Sequence, residues 1–337
     1  MRSARILLLA LVLAMPAHAG EHGKWTRMTT DDGLPGNDVQ FLRQRPDGAI
    51  WIGTLSGLGL CRGGKCEILV KESKVWDVLP AGEGRYWVGT GQGVLLLGGK
   101  QDEPALKQYS VAPLIAVGDG KVWAIAKEAA GQGSMVVAFD GEKWAPVEAL
   151  RGEDVEDMFR TGNGDVWVTV EGNGILQVSP GTPAEAVRHL AGRNVTAFQE
   201  DGKGRVWCGT WGSGVYVRGD GQWTRHLAKQ RAAVLDIDED SGGGIWVATN
   251  ANGLWRQEGD DWVNDLKAEG SVNLMEPTSD ARVWISNQAK GGLRCWDGKR
   301  WHTALPGPLP MRCILETEGG DLWVGGVMDG VHIMSAQ

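Results

Sequence analysis

The stretch PDGAIWIGTLSGLGL, residues 46–60, places four glycines and one tryptophan within fifteen residues. A second stretch, GEGRYWVGTGQGVLLL at residues 82–97, repeats the same order of glycines, tryptophan and aliphatic side chains. The whole chain is rich in these residues, with 51 glycines and 17 tryptophans among 337 residues. Such a bias predicts an internal repeat, and the nature of the repeat decides the fold.

The repeat has eight copies, each anchored on one tryptophan. The anchors lie 36 to 44 residues apart and are Trp51, Trp87, Trp123, Trp167, Trp207, Trp246, Trp284 and Trp323. Twelve residues before the anchor stands a valine, which Met311 replaces in the eighth copy. Three residues before it stands a glycine, which Ala281 replaces in the seventh copy. In all copies but the third, a second glycine and an apolar residue follow the anchor, as in Gly57-Leu58. These fixed offsets predict eight equivalent structural units.

Each copy predicts four short antiparallel strands joined by turns that contain glycine. The first strand begins at the valine, the second holds the anchor, and the third follows the second glycine. The fourth often carries its own tryptophan, as at Trp144, Trp223, Trp262 and Trp301. Four antiparallel strands repeated about every 40 residues are typical of a β-propeller blade. The prediction is an all-β protein with a single closed propeller of eight blades, and seven blades is the alternative.

The two ends of the chain predict how the ring closes. The eighth copy ends after its second and third strands, LWVGG and VHIM. The segment GKWTRM at residues 23–28 resembles a separate fourth strand, because Trp25 precedes Trp51 by 26 residues and the other fourth-strand tryptophans precede the next anchor by 22 or 23. We expect this N-terminal strand to complete the last blade, which leaves no exposed sheet edge.

The first nineteen residues have the features of a secretory signal peptide. Arg2 and Arg5 precede the apolar run ILLLALVLAM, and the small residues AHA form a cleavage site before Gly20. We therefore predict a signal peptide at residues 1–19 and a propeller at residues 20–337, in a periplasmic or secreted protein. An uncleaved membrane anchor is the less favoured alternative. No membrane insertion is expected after cleavage.

The mature chain is acidic. Removal of the two signal-peptide arginines changes the formal net charge from −8 to −10. This excess of carboxylates argues against nucleic acid and anionic membrane surfaces as partners.

Export to an oxidising compartment makes a disulfide feasible. Cys61 and Cys66 flank the sequence RGGK, and a two-residue turn there would place them opposite each other in a pair compatible with a disulfide. Two small side chains in a half-buried hairpin are the alternative. Cys208, Cys295 and Cys313 have no assigned partner.

The stretch DGLPGNDVQFLRQRPDGAIWIGTLSGLGL at residues 32–60 resembles the repeat of the two-component regulator propeller family. The family pattern is a GLP turn, a polar residue before a valine, and then DxxGxxWxGTxxGL. The copies that contain Gly53-Thr54, Gly89-Thr90 and Gly209-Thr210 match it best. The resemblance covers essentially the whole mature chain. It implies a periplasmic propeller like the sensing parts of membrane histidine kinases, which bind ligands such as glycan fragments. The family's immunoglobulin-like domain, membrane helix and kinase do not follow in this sequence. The expected partner is a small-molecule or glycan ligand, or a membrane sensor protein.

Candidate ligand-binding residues follow the register valines of the first strands. Because first strands line the channel of a propeller, the residues one and two places after these valines are expected near its wider face. Trp211 lies in the turn TWGSG on the same face and adds a second exposed aromatic ring beside Trp76. The predicted site comprises Trp76, Asp77, Glu156, Asp157, Trp211, Asp236 and Arg312. The alternative is a solvated channel with both tryptophans packed under neighbouring loops.

Neither a metal site nor a catalytic motif nor a cofactor is predicted. The segment DIDEDSGGG at residues 236–244 has aspartates at alternating positions, but Ser241 and Val247 stand where a calcium loop requires glycine and a carboxylate. A solvated acidic turn is the favoured interpretation. The five mature histidines share no motif with a serine or cysteine nucleophile.

The predicted function is that of an exported recognition module, with two-component sensing as one role that it could serve. It would bind a small-molecule or glycan ligand, or a partner protein, on the wider face of the propeller. A propeller lyase or a glycan-acting hydrolase that uses the same channel is one alternative. A scaffold without a small-molecule ligand is the other.

Overall fold

A computed structural model describes residues 24–99, 105–118, 120–128, 133–229, 231–266, 270–287, 292–307 and 310–336. Its strands form eight antiparallel sheets in a ring, so the predicted eight-bladed propeller is confirmed. These residues contain no α-helix, only the short 3-10 turns Thr30–Asp32 and Glu148–Leu150. The predicted signal peptide lies outside the described residues.

The blades are numbered in the chain order of their inner strands, and the strands of each run from the channel outwards. Blade 1 contains Val39–Gln44, Ile50–Thr54, Gly57–Arg62 and Lys65–Lys71, and blade 2 contains Val75–Gly82, Arg85–Thr90 and Gly93–Leu97. Blade 3 contains Tyr109–Gly118, Lys121–Glu128, Ser134–Phe139 and Trp144–Pro146, and blade 4 contains Val155–Arg160, Val166–Val170, Ile175–Val178 and Ala186–His189. Blade 5 contains Val195–Glu200, Val206–Thr210, Val215–Gly219 and Gln222–His226, and blade 6 contains Val234–Glu239, Ile245–Thr249, Leu254–Glu258 and Asp261–Asn264. Blade 7 contains Leu274–Pro277, Val283–Asn287, Gly292–Trp296 and Trp301–Leu305, and blade 8 contains Met311–Glu316, Leu322–Gly326, Val331–Met334 and Trp25–Met28.

Blades 2 and 7 lack part of the predicted strand pattern. In blade 2 the fourth position is held by Ala105, which forms an isolated bridge with Val94, and residues 100–104 lie outside the described part of the chain. In blade 7 the inner strand begins at Leu274 rather than at Val272. In this blade the Val272 N–H donates to the Thr249 carbonyl of blade 6 at 2.9 Å.

The turn between the second and third strands explains the repeated Gly-Thr sequence. The Thr54 hydroxyl donates to the Gly57 carbonyl and accepts from the Ser56 N–H, each at 3.1 Å. The second glycine leaves room for the fourth strand, because a Cβ on Gly57 would lie 2.2 Å from the Val70 carbonyl oxygen. The repeat therefore encodes both a turn and a close approach of two backbones.

The N-terminal strand closes the ring as predicted. It pairs in antiparallel register with Val331–Met334, so that Met28 lies opposite Val331. A Cβ on Gly330 would lie 2.2 Å from the Met28 carbonyl oxygen, which reproduces the contact seen inside blade 1. The N-terminal strand thus occupies the position of a regular fourth strand.

Tryptophans of neighbouring blades pack edge to face and form much of the core. The anchor indoles are at most 9 % exposed. At five junctions a fourth-strand tryptophan contacts the anchor of the preceding blade, with ring centroids 5.5 to 6.5 Å apart. The pairs are Trp144–Trp87, Trp223–Trp167, Trp262–Trp207, Trp301–Trp246 and Trp25–Trp284. Such pairs contribute about 0.5–1.5 kcal/mol each beyond the area they bury.

The hairpin at the outer edge of blade 1 brings its two cysteines together. Cys61 lies opposite Cys66 with their Cα atoms 4.0 Å apart, and the two sulfurs are joined in a disulfide. Whether the exported protein carries this bond stays a prediction. Cys208 and Cys295 are buried thiols, and Cys313 is a half-buried thiol.

Candidate functional site

The antiparallel order of the strands defines two faces of the ring. The turns between second and third strands and the loops between blades lie on one face, which we call the mouth face. The turns between first and second strands and between third and fourth strands lie on the opposite face. The register valines begin the inner strands at the mouth face.

A bulge directly after the register residue shapes the channel wall. In blade 2 the pairing skips from Val75 to Asp77, so that Trp76 has no cross-strand partner. The same shift leaves Gln40, Thr196, Leu235 and Arg312 unpaired in blades 1, 5, 6 and 8. A bulge redirects the side chain of the extra residue, and here it does so at the mouth of the channel.

Trp76 lines a cavity of about 530 Å³ between the inner strands of blades 1 to 3. Phe41, Arg43, Pro113 and Lys127 also line it. The indole is half-buried, and its Nε1 has no hydrogen-bond partner within the described part of the chain. The cavity therefore combines an aromatic surface with charged groups, which is the usual composition of a small-molecule site.

Asp77 links three blades beside this cavity. Its side chain lies 3.0 Å from the Arg43 Nη2 of blade 1 and accepts the Leu114 N–H of blade 3 at 2.8 Å. Burial raises the pKa of Asp77, which is 7 % exposed, while the charge of Arg43 and the backbone donors oppose this rise. The predicted site residue thus has a structural role as well as a position on the cavity wall.

Glu156 and Asp157 present carboxylates on the blade 4 side of the same region. The Lys127 ammonium donates to the Glu156 carbonyl at 3.2 Å, which brings blade 3 and blade 4 together at this point. Asp157 is exposed to the channel, yet the surrounding protein limits its hydration and raises its pKa to about 6. Limited hydration also raises the pKa of Glu156, and the charge of Lys127 opposes both shifts.

Asp236 lies on the blade 6 wall and links two blades as Asp77 does. Its carboxylate accepts the Met275 N–H of blade 7 at 3.2 Å. Burial raises the pKa of Asp236 to about 7, and the neighbouring Asp238 adds to this rise. Burial raises the pKa of Asp238 to about 6 and that of Glu276 to about 8, with repulsion between the carboxylates as a second cause.

Sequence reasoning missed Arg43, Asp238 and Glu276. Each stands four residues after the register valine of its blade. Because inner strands line the channel, a polar residue four places after the register valine could have been predicted to face it.

Trp211 and Arg312 lie on the rim of the mouth face. Trp211 is 62 % exposed and is held by its backbone, because its N–H donates to the Asn194 carbonyl at 2.9 Å and it bridges Ala233. The Arg312 Nε lies 3.6 Å from a carboxylate oxygen of Asp38. The structure therefore gathers Trp76, Asp77, Glu156 and Asp157 in one region of the channel. It places Trp211 and Asp236 on the side of blades 5 and 6.

The acidic turn of blade 6 positions an anchor tryptophan. Asp240 accepts the backbone N–H groups of Gly242 and Gly244 at 2.9 Å and the Trp246 indole N–H at 2.7 Å. Asp236 and Asp238 of the same sequence run lie on the inner strand rather than in the turn. Within the described ranges, no group of three or more histidine, cysteine, aspartate or glutamate side chains could hold a metal ion.

Two histidines belong to the packing between blades. The Nδ1 of His189 accepts from the Trp223 indole N–H, and that of His226 accepts from the Trp262 indole N–H, both at 3.4 Å. Burial lowers the pKa of both rings, so the neutral form that can accept these bonds is favoured.

None of the helices in the described residues has the length and apolar character needed to cross a membrane. Residues 189–212, from the end of blade 4 into blade 5, match the family model described as "Two component regulator propeller". No curated protein matches the chain.

The fold is similar to that of several solved structures. Two are extracellular domains of proteins described as hybrid two component systems from B. thetaiotaomicron, with TM-scores of 0.61 and 0.59 and 16 % identity each. The alignments cover 93 % and 94 % of this chain and 42 % and 40 % of theirs, so the chain spans about two fifths of their length. A virginiamycin B lyase from Staphylococcus aureus has a TM-score of 0.57 at 10 % identity, over 93 % of this chain and 98 % of the lyase.

At these identities the structural likeness shows the fold alone. The match over residues 189–212 adds evidence from the sequence itself. It confirms the resemblance drawn from residues 32–60: the chain carries the two-component regulator propeller repeat in an eight-bladed ring.

Proposed function

We propose that the protein is an exported recognition module that binds a hydroxyl-bearing or cationic ligand at the mouth of the channel. The observation that carries this proposal is the cavity at Trp76, where a half-buried indole lies near carboxylates. An aromatic face offers apolar contact to a ring or an alkyl chain, and charged groups fix the orientation of the ligand.

The charges around the cavity favour a neutral or cationic ligand. Arg43 is already neutralised by Asp77 in an ion pair. Of the remaining groups, Lys127 contributes one positive charge, whereas Glu156 and Asp157 contribute up to two negative charges. Because Asp157 has a pKa of about 6, its carboxylate is mostly ionised at neutral pH. The net negative charge attracts ammonium groups and accepts hydrogen bonds from hydroxyl groups.

The positions of the histidines support recognition rather than catalysis. The four within the described ranges lie in third or fourth strands, away from the inner strands, and are His189, His226, His302 and His332. They contact tryptophans or pair with aspartates of their own blades. We therefore assign no catalytic residue.

The repeat family supports a sensing role for this recognition. In that role the ligand-bound propeller would contact a membrane sensor protein in the periplasm. The signal peptide expected at residues 1–19 provides the route to that compartment.

A thermal-shift screen of residues 20–337 tests the proposal. The compounds are neutral, amino and acidic saccharides together with divalent metal salts. A ligand at 100 times its Kd stabilises a folded protein by about 2.7 kcal/mol, so at least one neutral or amino compound should raise the melting temperature. A screen in which no such compound stabilises the protein would contradict the proposal.

Two tryptophan variants then locate the site. Trp76→Ala should weaken binding of the identified ligand by about 1–3 kcal/mol without unfolding the protein, because aromatic side chains dominate such contacts. Trp211→Ala should weaken binding only of a ligand long enough to reach across the channel to the side of blades 5 and 6. Arg312→Ala should act mainly on an acidic ligand. Met328→Ala is the control, because this side chain is 78 % exposed in a mouth-face turn of blade 8. Wild-type affinity in Trp76→Ala would remove the site from consideration.

A further inference from the structure

A second cavity lies between blades 4 and 5 on the face opposite the mouth. Its volume is about 350 Å³. The turns between first and second strands of both blades enclose it, together with the turn between the third and fourth strands of blade 5. The side chains that line it include Thr161, Asn163, Trp167, Glu200, Lys203 and Arg218.

Arg218 is the unusual group in this cavity. Its guanidinium carbon lies 5.7 Å from the centroid of the Trp167 ring. The side chain is half-buried, and its Nε is buried without a hydrogen-bond partner among the residues that the structure describes. Within those same residues the guanidinium forms no ion pair of the kind made by the arginines discussed next. A partly buried cation without an acceptor is unfavourable, because its hydration is reduced and not replaced.

Other arginines that stack on anchor tryptophans have carboxylate partners. These are Arg45 with Asp47 at 3.2 Å, Arg205 with Asp201 at 2.6 Å, and Arg256 with Asp265 at 3.1 Å. The same stacked geometry thus normally includes an oxyanion at the guanidinium edge. In the cavity between blades 4 and 5 the stacked guanidinium of Arg218 forms no ion pair with a carboxylate of the described residues.

The acidic groups near the cavity have other roles. Glu200 accepts the Gly162 N–H at 2.6 Å, and Asp165 accepts from Gln177 at 2.6 Å. Asp220 lies on the exposed turn at the edge of the cavity. Lys203 and Arg205 also line the cavity, and Arg205 is paired with Asp201 at 2.6 Å.

We propose that this cavity binds an oxyanion, a carboxylate or phosphate group of a small molecule, through Arg218 with Lys203 as a second contact. The planar guanidinium donates two parallel hydrogen bonds to such a group, and stacking on Trp167 holds that plane in place before binding. The cavity lies on the opposite face from Trp76, so this inference is independent of the proposed function.

An NMR titration tests the proposal. Protein labelled with ¹⁵N is titrated at low ionic strength with sodium glucuronate and, separately, with inorganic phosphate. The Nε–H resonance of Arg218 is identified by its loss in Arg218→Lys. We expect it to shift saturably with a Kd on the order of 1 mM, the range of a weak single-group contact. The salt that gives the tighter Kd identifies the group that the site recognises.

Matched variants make the result decisive. Arg218→Lys keeps the charge but loses the paired donors, so binding should weaken about 10-fold or more. Arg256→Lys, which changes a stacked arginine that already has carboxylate partners, should bind as wild type. Trp76→Ala should also bind as wild type, so a failure of the proposed function leaves this measurement unaffected. The inference is overturned if neither salt moves the Arg218 resonance at about 50 mM, or if Arg218→Lys binds as tightly as wild type.

Discussion

Deletion of residues 20–28 removes the strand that closes the ring. The strand contributes Met28, which is 5 % exposed, the contact of Trp25 with Trp284 at 6.3 Å, and the ion pair of Arg27 with Asp329 at 2.5 Å. Loss of a buried methionine costs about 2–5 kcal/mol, the aromatic contact about 1 kcal/mol, and an exposed ion pair about 0–1 kcal/mol. We expect the free energy of unfolding to fall by roughly 3–7 kcal/mol on this basis.

The assay is urea unfolding of residues 20–337 and of the deletion variant, followed by tryptophan fluorescence. Size-exclusion chromatography accompanies it, because the exposed strand Val331–Met334 becomes a free sheet edge that can pair with another molecule. Gly330→Ala tests the same contact with the strand present, since its Cβ would meet the Met28 carbonyl, whereas Gly48→Ala has a similar φ and no neighbour within 4 Å. Unfolding of the deletion variant at the wild-type urea concentration would refute the reasoning.

Two further predictions concern the disulfide and the carboxylates of the channel. In protein exported to an oxidising compartment, the peptide containing Cys61 and Cys66 should be two hydrogens lighter by non-reducing mass spectrometry than the reduced peptide. Because the disulfide closes only a short loop, its loss should lower the free energy of unfolding by at most about 2 kcal/mol. Free thiols at both positions would contradict the prediction. Burial raises the pKa of Glu276 from its ordinary 4.5 to about 8, so the folded state favours its protonated form and stability falls as the pH rises from about 4.5 to about 8. Glu276→Gln should therefore stabilise the protein against urea by about 1–3 kcal/mol more at high pH than at about pH 5, after allowance for solvent screening. The control Glu142→Gln, at an exposed position, should show no such difference. An equal effect of Glu276→Gln at both pH values would contradict the raised pKa of Glu276.

The fold could be predicted from the sequence because its requirements are local and repeat. Gly57 must leave space for the Val70 carbonyl, and Gly330 must do so for the Met28 carbonyl. Each blade needs the same residues at the same positions, so the eight copies of the pattern predict eight blades. The spacing between Trp25 and Trp51 predicts the strand that closes the ring.

The candidate site was only partly predictable. Inner-strand spacing located Trp76 and Asp77, but the bulge that redirects Trp76 depends on pairing register, which single residues do not reveal. The backbone bonds from Asp77 and Asp236 to the next blade depend on the distance between inner strands, so their structural role was not visible. Arg43 was missed because the search covered only the first two positions after each valine.

A crystal structure of residues 20–337 with the ligand from the thermal-shift screen tests the central claim most directly. We expect the ligand to contact the Trp76 ring, with its hydroxyl or ammonium groups directed at Glu156 and Asp157. A ligand bound elsewhere on the propeller, with the Trp76 cavity unoccupied, would contradict it.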